Sequence, residues 1–182
     1  HIDIADIYYN IGSTYNTLSE YEQAINYYLK AINIYLHIFG EVNPKLELTY
    51  FNLGNSYFNN ENYENAIEYF IKAEIISREL NPENMTMQIN YYKKISDIYL
   101  IIKNYHEALN YYFKIYNIYI SFYGEYHSDL SEVYLSIGNI FELKEEFEDS
   151  IDYLEKAVNI ISIHSEDEIP IDANLENLYR KL

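Results

Sequence analysis

The sequence predicts an all-α chain made of four copies of one helical hairpin, and three observations lead there. Glycine and proline number only 5 and 3 in 182 residues, too few for the turns of a strand-rich protein. A small residue recurs every 42 positions, at Gly12, Gly54, Ser96 and Gly138. Its surroundings keep the same register: Tyr8, Tyr50, Tyr92 and Tyr134 lie four before it, and Tyr15, Tyr57, Tyr99 and Phe141 three after. Ala24, Ala66, Ala108 and Ser150 lie twelve after. Agreement of this kind in several columns marks an internal repeat rather than a compositional bias.

The elements of one copy follow from these columns. Tyr50, Leu53, Gly54 and Tyr57 are spaced to share one side of a first helix, and Ala66, Phe70 and Ala73 do the same for a second. Polar residues around Tyr63 separate the two. A glycine inside a helix costs about 1 kcal/mol relative to alanine, so Gly54 is expected to admit the neighbouring helix near Ala66. After the second helix comes IYLHIFGEVNP, which lengthens that helix and then stops it at Gly40, with Asn43 as N-cap and Pro44 at the first helical position. Gly124-Glu125-Tyr126-His127-Ser128 repeats the stop two periods on. The repeats are expected at about 5–44, 45–86, 87–128 and 129–168, within one array spanning 1–182. Pro170, Ala173 and Tyr179 are in register with a fifth first helix over 170–182. Arg180 stands there in place of the small residue, so this segment is either a solubilising cap or the edge of a longer array. The chain begins at His1 rather than Met, and the expectation is a piece of something longer.

Composition narrows the function classes. Twelve basic against 29 acidic residues leave a net charge of −17, which disfavours nucleic acid and anionic lipid as partners, since both are held by clustered Lys and Arg. Cysteine is absent, which removes disulfides and thiolate chemistry. No apolar run approaches a membrane span and no signal segment opens the chain, so a soluble, cytoplasmic protein is expected. The five histidines fall in different columns, none paired i, i+4 as metal ligands. No phosphate loop or nucleophile motif appears. We therefore expect no catalytic residue, metal or cofactor.

Tyr50, Leu53-Gly54, Tyr57, Ala66, Phe70 and Ala73 resemble the tetratricopeptide repeat in order and spacing, as do Tyr8, Ile11-Gly12, Tyr15, Ala24, Tyr28 and Ala31. The third copy departs at Ser96 and Ile115, the fourth at Ser150 and Leu154. The usual repeat has 34 residues, so this one carries eight more. A 42-residue unit with this junction is similar to the repeats of kinesin light chain and Pins-type adaptors. The resemblance implies a right-handed superhelical solenoid of four helix-turn-helix hairpins plus a C-terminal helix. It also implies a scaffold that binds a protein or peptide partner in a concave groove lined by the first helices.

The first-helix face opposite the core supplies the candidate groove: Tyr9, Asn10 and Ser13; Phe51, Asn52, Asn55 and Phe58; Asn90, Lys93, Lys94 and Asp97; Leu135 and Asn139. An amide side chain offers both a donor and an acceptor and can match a peptide unit whatever its side chain. Asn10, Asn52, Asn55 and Asn139 are thus expected to hold a backbone, the aromatic residues to take apolar side chains, and Lys93 and Lys94 to favour an acidic one. Co-chaperone members of the family clamp acidic C-termini with Lys, Asn, Asn, Lys and Arg. The corresponding residues here are Tyr9, Ser13, Asn52, Asn90 and Lys94, so such tails are expected not to bind. Two other roles fit the same sequence: a structural segment that self-associates through its ends, and a regulatory arm of an enzyme whose catalytic domain lies elsewhere.

Overall fold

The computed structural model describes residues 1–165. Among them are eight helices and no strand: α1 (Ile2–Thr17), α2 (Tyr21–Phe39), α3 (Pro44–Asn59), α4 (Tyr63–Leu80), α5 (Met85–Ile101), α6 (Tyr105–Phe122), α7 (Leu130–Leu143) and α8 (Phe147–Ser165). The class is all-α, as the periodicity predicts. The even-numbered helices run 18 or 19 residues and the odd-numbered ones 14 to 17, which is where the longer repeat spends its extra residues. The expected helix over 170–182 lies outside the described residues.

The chain divides into two units, one from His1 to Asn104 holding α1–α5 and one from Tyr105 onward holding α6–α8. In the first, α1 packs on α2, α2 on α3, α3 on α4 and α4 on α5; in the second, α6 packs on α7 and α7 on α8. The first unit's core is made by the sequence columns themselves: Ala24, Tyr28, Ala31, Leu46, Leu53 and Ala73 are all buried. Glu74 is buried among them on α4, where it accepts a hydrogen bond from the Tyr92 hydroxyl at 3.1 Å and faces Arg78 at 3.6 Å. That pairing meets the requirement that a buried carboxylate be partnered.

The small column admits the second helix, as expected, and the structure shows which of its groups comes nearest. A Cβ on Gly54 would lie 3.0 Å from Cδ1 and Cε1 of Phe70, so the ring of Phe70 is what comes nearest. Gly12 repeats this with Cδ1 of Tyr28 at 2.9 Å, and the Ala24 carbonyl oxygen lies at 3.2 Å. In both hairpins the glycine seats an aromatic ring of the second helix.

Two kinds of turn close the elements. Between hairpins, Asn43 Oδ1 accepts from the Leu46 amide at 2.9 Å while its Nδ2 donates to the Gly40 carbonyl at 3.1 Å, and Pro44 begins α3. Gly40 has φ +76. At the equivalent junction Gly124 keeps φ +88, but α7 starts at Leu130 with Asp129 as N-cap. There His127 Nδ1 accepts from the Asp129 amide at 3.3 Å and a turn precedes the helix. Within hairpins, a left-handed residue recurs every 42 positions at Ser19, Glu61, Lys103 and Glu145, with φ between 57 and 63. Each is followed by an amide that bonds back to an aromatic carbonyl, as Glu20 N does to Tyr15 O at 2.9 Å and Asn62 N to Tyr57 O at 2.9 Å. This is the Schellman closure, made here without glycine.

Candidate peptide-binding face

All 13 candidate residues lie on odd-numbered helices, and none is buried. Tyr9, Asn10 and Ser13 are on α1, Phe51, Asn52, Asn55 and Phe58 on α3, and Asn90, Lys93, Lys94 and Asp97 on α5. Leu135 and Asn139 are on α7 in the second unit, where Leu135 is 47% exposed.

The seated rings support the face from below. Tyr28, held over Gly12, carries Tyr9 with ring centroids 5.8 Å apart, and Phe70, held over Gly54, carries Phe51 at 5.7 Å. Gly12 and Gly54 therefore each set the height of an aromatic residue on the exposed face. Burial pushes the Tyr28 hydroxyl up to about 12, against a hydrogen bond from Ser13 that lowers it. Phe58 leans on Tyr63 at 5.9 Å across its own turn.

Lateral contacts tie one first helix to the next. Asn52 Nδ2 donates to the Tyr9 hydroxyl at 2.8 Å, and Ser56 Oγ donates to Asn16 Oδ1 at 2.9 Å. One repeat on, at the positions of Tyr9 and Asn52, stand Phe51 and Lys94, whose ammonium lies 5.4 Å from the Phe51 ring centroid and 5.7 Å from that of Phe70. The same rung is a hydrogen bond in one place and a cation–π contact in the other.

Two clefts open along this face within the first unit. The first, about 280 Å³, is lined by Asp6, Tyr9, Asn10, Tyr35, Lys45, Leu48 and Thr49. The second, about 350 Å³, is lined by Phe51, Met87, Asn90, Tyr91, Lys93, Lys94 and Asp97. Tyr9, Lys45, Leu48 and Thr49 of the first stand 42 residues before Phe51, Met87, Asn90 and Tyr91 of the second, so the clefts are repeat equivalents. Five of the candidates meet in the second cleft, and two in the first.

Their electrostatics differ. In the first, Asp6 Oδ1 accepts from Lys45 Nζ at 2.6 Å and from the Tyr35 hydroxyl at 2.5 Å. The Lys45 hydrogen bond, then that of Tyr35, hold the Asp6 carboxyl below its usual value. Burial and then the Asp6 carboxylate raise the Tyr35 hydroxyl. In the second, desolvation raises the Asp97 carboxyl while Lys94 and Lys93 pull it down, and the Tyr91 hydroxyl donates to Glu47 Oε1 at 3.0 Å.

Met87, Tyr91, Asp6, Lys45 and Tyr35 were not among the candidates. Asp6 sits on the face in question and shares a column with Leu48 and Asn90. Lys45 and Met87 stand three residues before that column, one turn ahead of the positions considered. The period of 42 that links them was the signal available.

The tetratricopeptide repeat family model matches residues 3–79, 45–119 and 86–162 in overlapping passes. Among solved structures, BtubC (BKLC) from P. vanneervenii is similar at a TM-score of 0.71 and 17% identity, over 94% of this chain and 68% of that one. A putative kinesin light chain of Podosopora anserina with nearly identical TPR-like repeats is similar at 0.73 and 11% identity, over 88% of this chain and 76% of that one. MamA is similar at 0.58 and 18% identity, over 89% and 81%. No curated protein matches the chain. At these identities the structural likeness concerns the fold alone, and it is the match of the family model along residues 3–162 that places this chain in the tetratricopeptide repeat family.

Proposed function

We propose that the exposed face of α1, α3 and α5 binds an extended segment of a partner protein. The observation that carries this reading is the second cleft, where an aromatic floor, an amide and two ammonium groups converge in about 350 Å³. Phe51 and Met87 suit an apolar side chain, Lys93 and Lys94 an acidic one, and Asn90 a peptide unit. Asn10 and Asn55 extend the amide contacts along the face. Asn52 gives one N–H to Tyr9 and keeps its carbonyl oxygen and second N–H for a ligand. Its replacement would loosen α3 from α1 as well as the ligand, so it is a poor probe of binding alone.

A random dodecapeptide library panned against the protein provides the test. Enriched peptides are expected to bind Asn55→Ala/Asn90→Ala at least about tenfold more weakly, two lost hydrogen bonds at about 1 kcal/mol each, with melting nearly unchanged. Acidic peptides should also lose affinity for Lys93→Glu. Peptides that bind both variants as they bind the parent protein would refute the assignment.

A further inference from the structure

Tyr9 with Asn52, and Phe51 with Lys94, are the same two positions one repeat apart, and the second partner is used differently in each. Asn52 gives an N–H to the Tyr9 hydroxyl at 2.8 Å. Phe51 has no hydroxyl to receive one, and the Lys94 ammonium instead lies 5.4 Å from the Phe51 ring centroid and 5.7 Å from that of Phe70. Contact with two rings holds an ammonium in place while leaving its N–H groups unused. Among the described residues none accepts a hydrogen bond from Lys94, although it is half-buried and lines the second cleft beside Asn90 and Asp97. The rings are themselves fixed, since Phe70 is seated over Gly54 and Phe51 stands on Phe70 at 5.7 Å.

We propose that this pair of positions sets the charge each cleft selects: Phe51 and Lys94 make the second cleft a site for a carboxylate side chain of the partner segment, and Tyr9 and Asn52 leave the first a site for an uncharged one. The assignment rests on the peptide-binding reading of the face and names the residues that give it specificity, Lys94 as the recognising group and Phe51 as the positioning one. A lysine loose in water loses side-chain entropy when it pairs with a carboxylate, which offsets most of the attraction. One already held against two rings has lost that entropy beforehand, so more of the attraction reaches the ligand. Two lysines line the second cleft against one aspartate. In the first cleft the one lysine of the lining, Lys45, is bonded to Asp6 at 2.6 Å. A ligand charge of either sign would there meet one like charge of that pair, and the Tyr9–Asn52 rung adds no charge to tip the balance.

Exchanging the two pairs tests this. The probes are dodecapeptides enriched on the parent protein, each synthesised a second time with its acidic residues changed to the corresponding amides, and binding is measured by calorimetry. The amide form is expected to bind the parent at least about tenfold more weakly than the acidic form, the loss of a charged hydrogen bond, and the gap should narrow between about 50 mM and about 500 mM salt. Phe51→Tyr/Lys94→Asn, which writes the first pair into the second cleft, should bind both forms alike. Lys94→Gln should also lose the preference and Lys94→Arg keep it, since a guanidinium stacks on the same rings; these two half-buried changes decide the matter should the double exchange not fold. Phe51→Leu, with Lys94 retained, should narrow the gap, as expected of a residue that positions the ammonium. Peptides enriched on Tyr9→Phe/Asn52→Lys should carry an additional acidic residue. Enriched peptides without an acidic residue, or a preference that survives Lys94→Gln, would overturn the charge assignment while sensitivity to Asn55→Ala/Asn90→Ala leaves the peptide face standing. Peptides indifferent to Asn55→Ala/Asn90→Ala as well would overturn both.

Discussion

The two clefts of the first unit share a backbone register and differ in nearly every functional group. Where the first has Tyr9, Lys45 and Leu48, the second has Phe51, Met87 and Asn90. In the first a lysine is consumed by Asp6 and Tyr35, leaving a neutral, internally satisfied network. In the second two lysines face one aspartate across an aromatic floor. The repeat fixes where a cleft opens, and the residues free to vary within it decide what the cleft can hold. The two therefore behave differently when perturbed.

The largest difference should come from the glycines beneath them. Gly54→Leu must displace Phe70 and with it Phe51 and Lys94. We expect a loss of about 3 kcal/mol from overpacking together with loss of the second cleft, whereas Gly12→Leu should disturb Tyr28, Tyr9 and the first. Gly40→Leu meets no atom within 4 Å but stands at φ +76 and ψ −168, a region open essentially to glycine alone, so its cost is backbone strain, about 1–3 kcal/mol. Chemical denaturation of the three variants, with peptide binding measured alongside, separates these effects. A Gly54→Leu protein that keeps both its stability and its peptide binding would refute the packing assigned to the small column.

A smaller contrast lies in the response to acid. The Asp6 carboxyl is depressed in the folded protein, so its contribution is present above the unfolded value of about 4 and disappears as pH falls through the folded one. Asp97 is raised, so its contribution is present below the unfolded value and is lost as pH climbs through the folded one. Asp6→Asn is therefore expected to lower stability at neutral pH and flatten the acid limb, and Asp97→Asn to raise stability at neutral pH. The Asp6 effect should be at most about 1 kcal/mol, since both partners of the ion pair are about 40% exposed. Thermal melts from about pH 3, roughly one unit below the ordinary carboxylate values, up to about pH 7 would show opposite slopes; parallel shifts would contradict them.

The smallest effect concerns the turns. Glu61 holds φ 57 with an L side chain, so Glu61→Gly should stabilise the α3–α4 hairpin by about 0.5 kcal/mol, strain relief outweighing the added chain entropy. A loss of stability in urea would mean that the glutamate side chain contributes more than its backbone costs.

The hairpins were legible in the sequence because core columns repeat in both identity and spacing, and a helix converts such spacing directly into a buried side. Asn43 and Pro44 were legible for a similar reason: capping is a local affair of residues three apart. The left-handed turns at Ser19, Glu61, Lys103 and Glu145 were not, since their sequence marker is usually glycine and none stands there. The candidate face was legible as a set of solvent-accessible positions. Its division into clefts was not, because that division depends on Met87 and Tyr91 meeting Phe51 from another helix.

By itself, then, the sequence determined the all-α class, the 42-residue hairpin and the sides of the first helices that meet solvent, all consequences of periodicity along one chain. The tertiary structure decided which groups meet: the Phe70 ring over Gly54, Asn52 turned to Tyr9, Asp6 claimed by Lys45 and Tyr35. These are contacts between different helices, set by distances of a few ångströms and by the direction each side chain leaves its backbone, and a pattern along the chain carries neither.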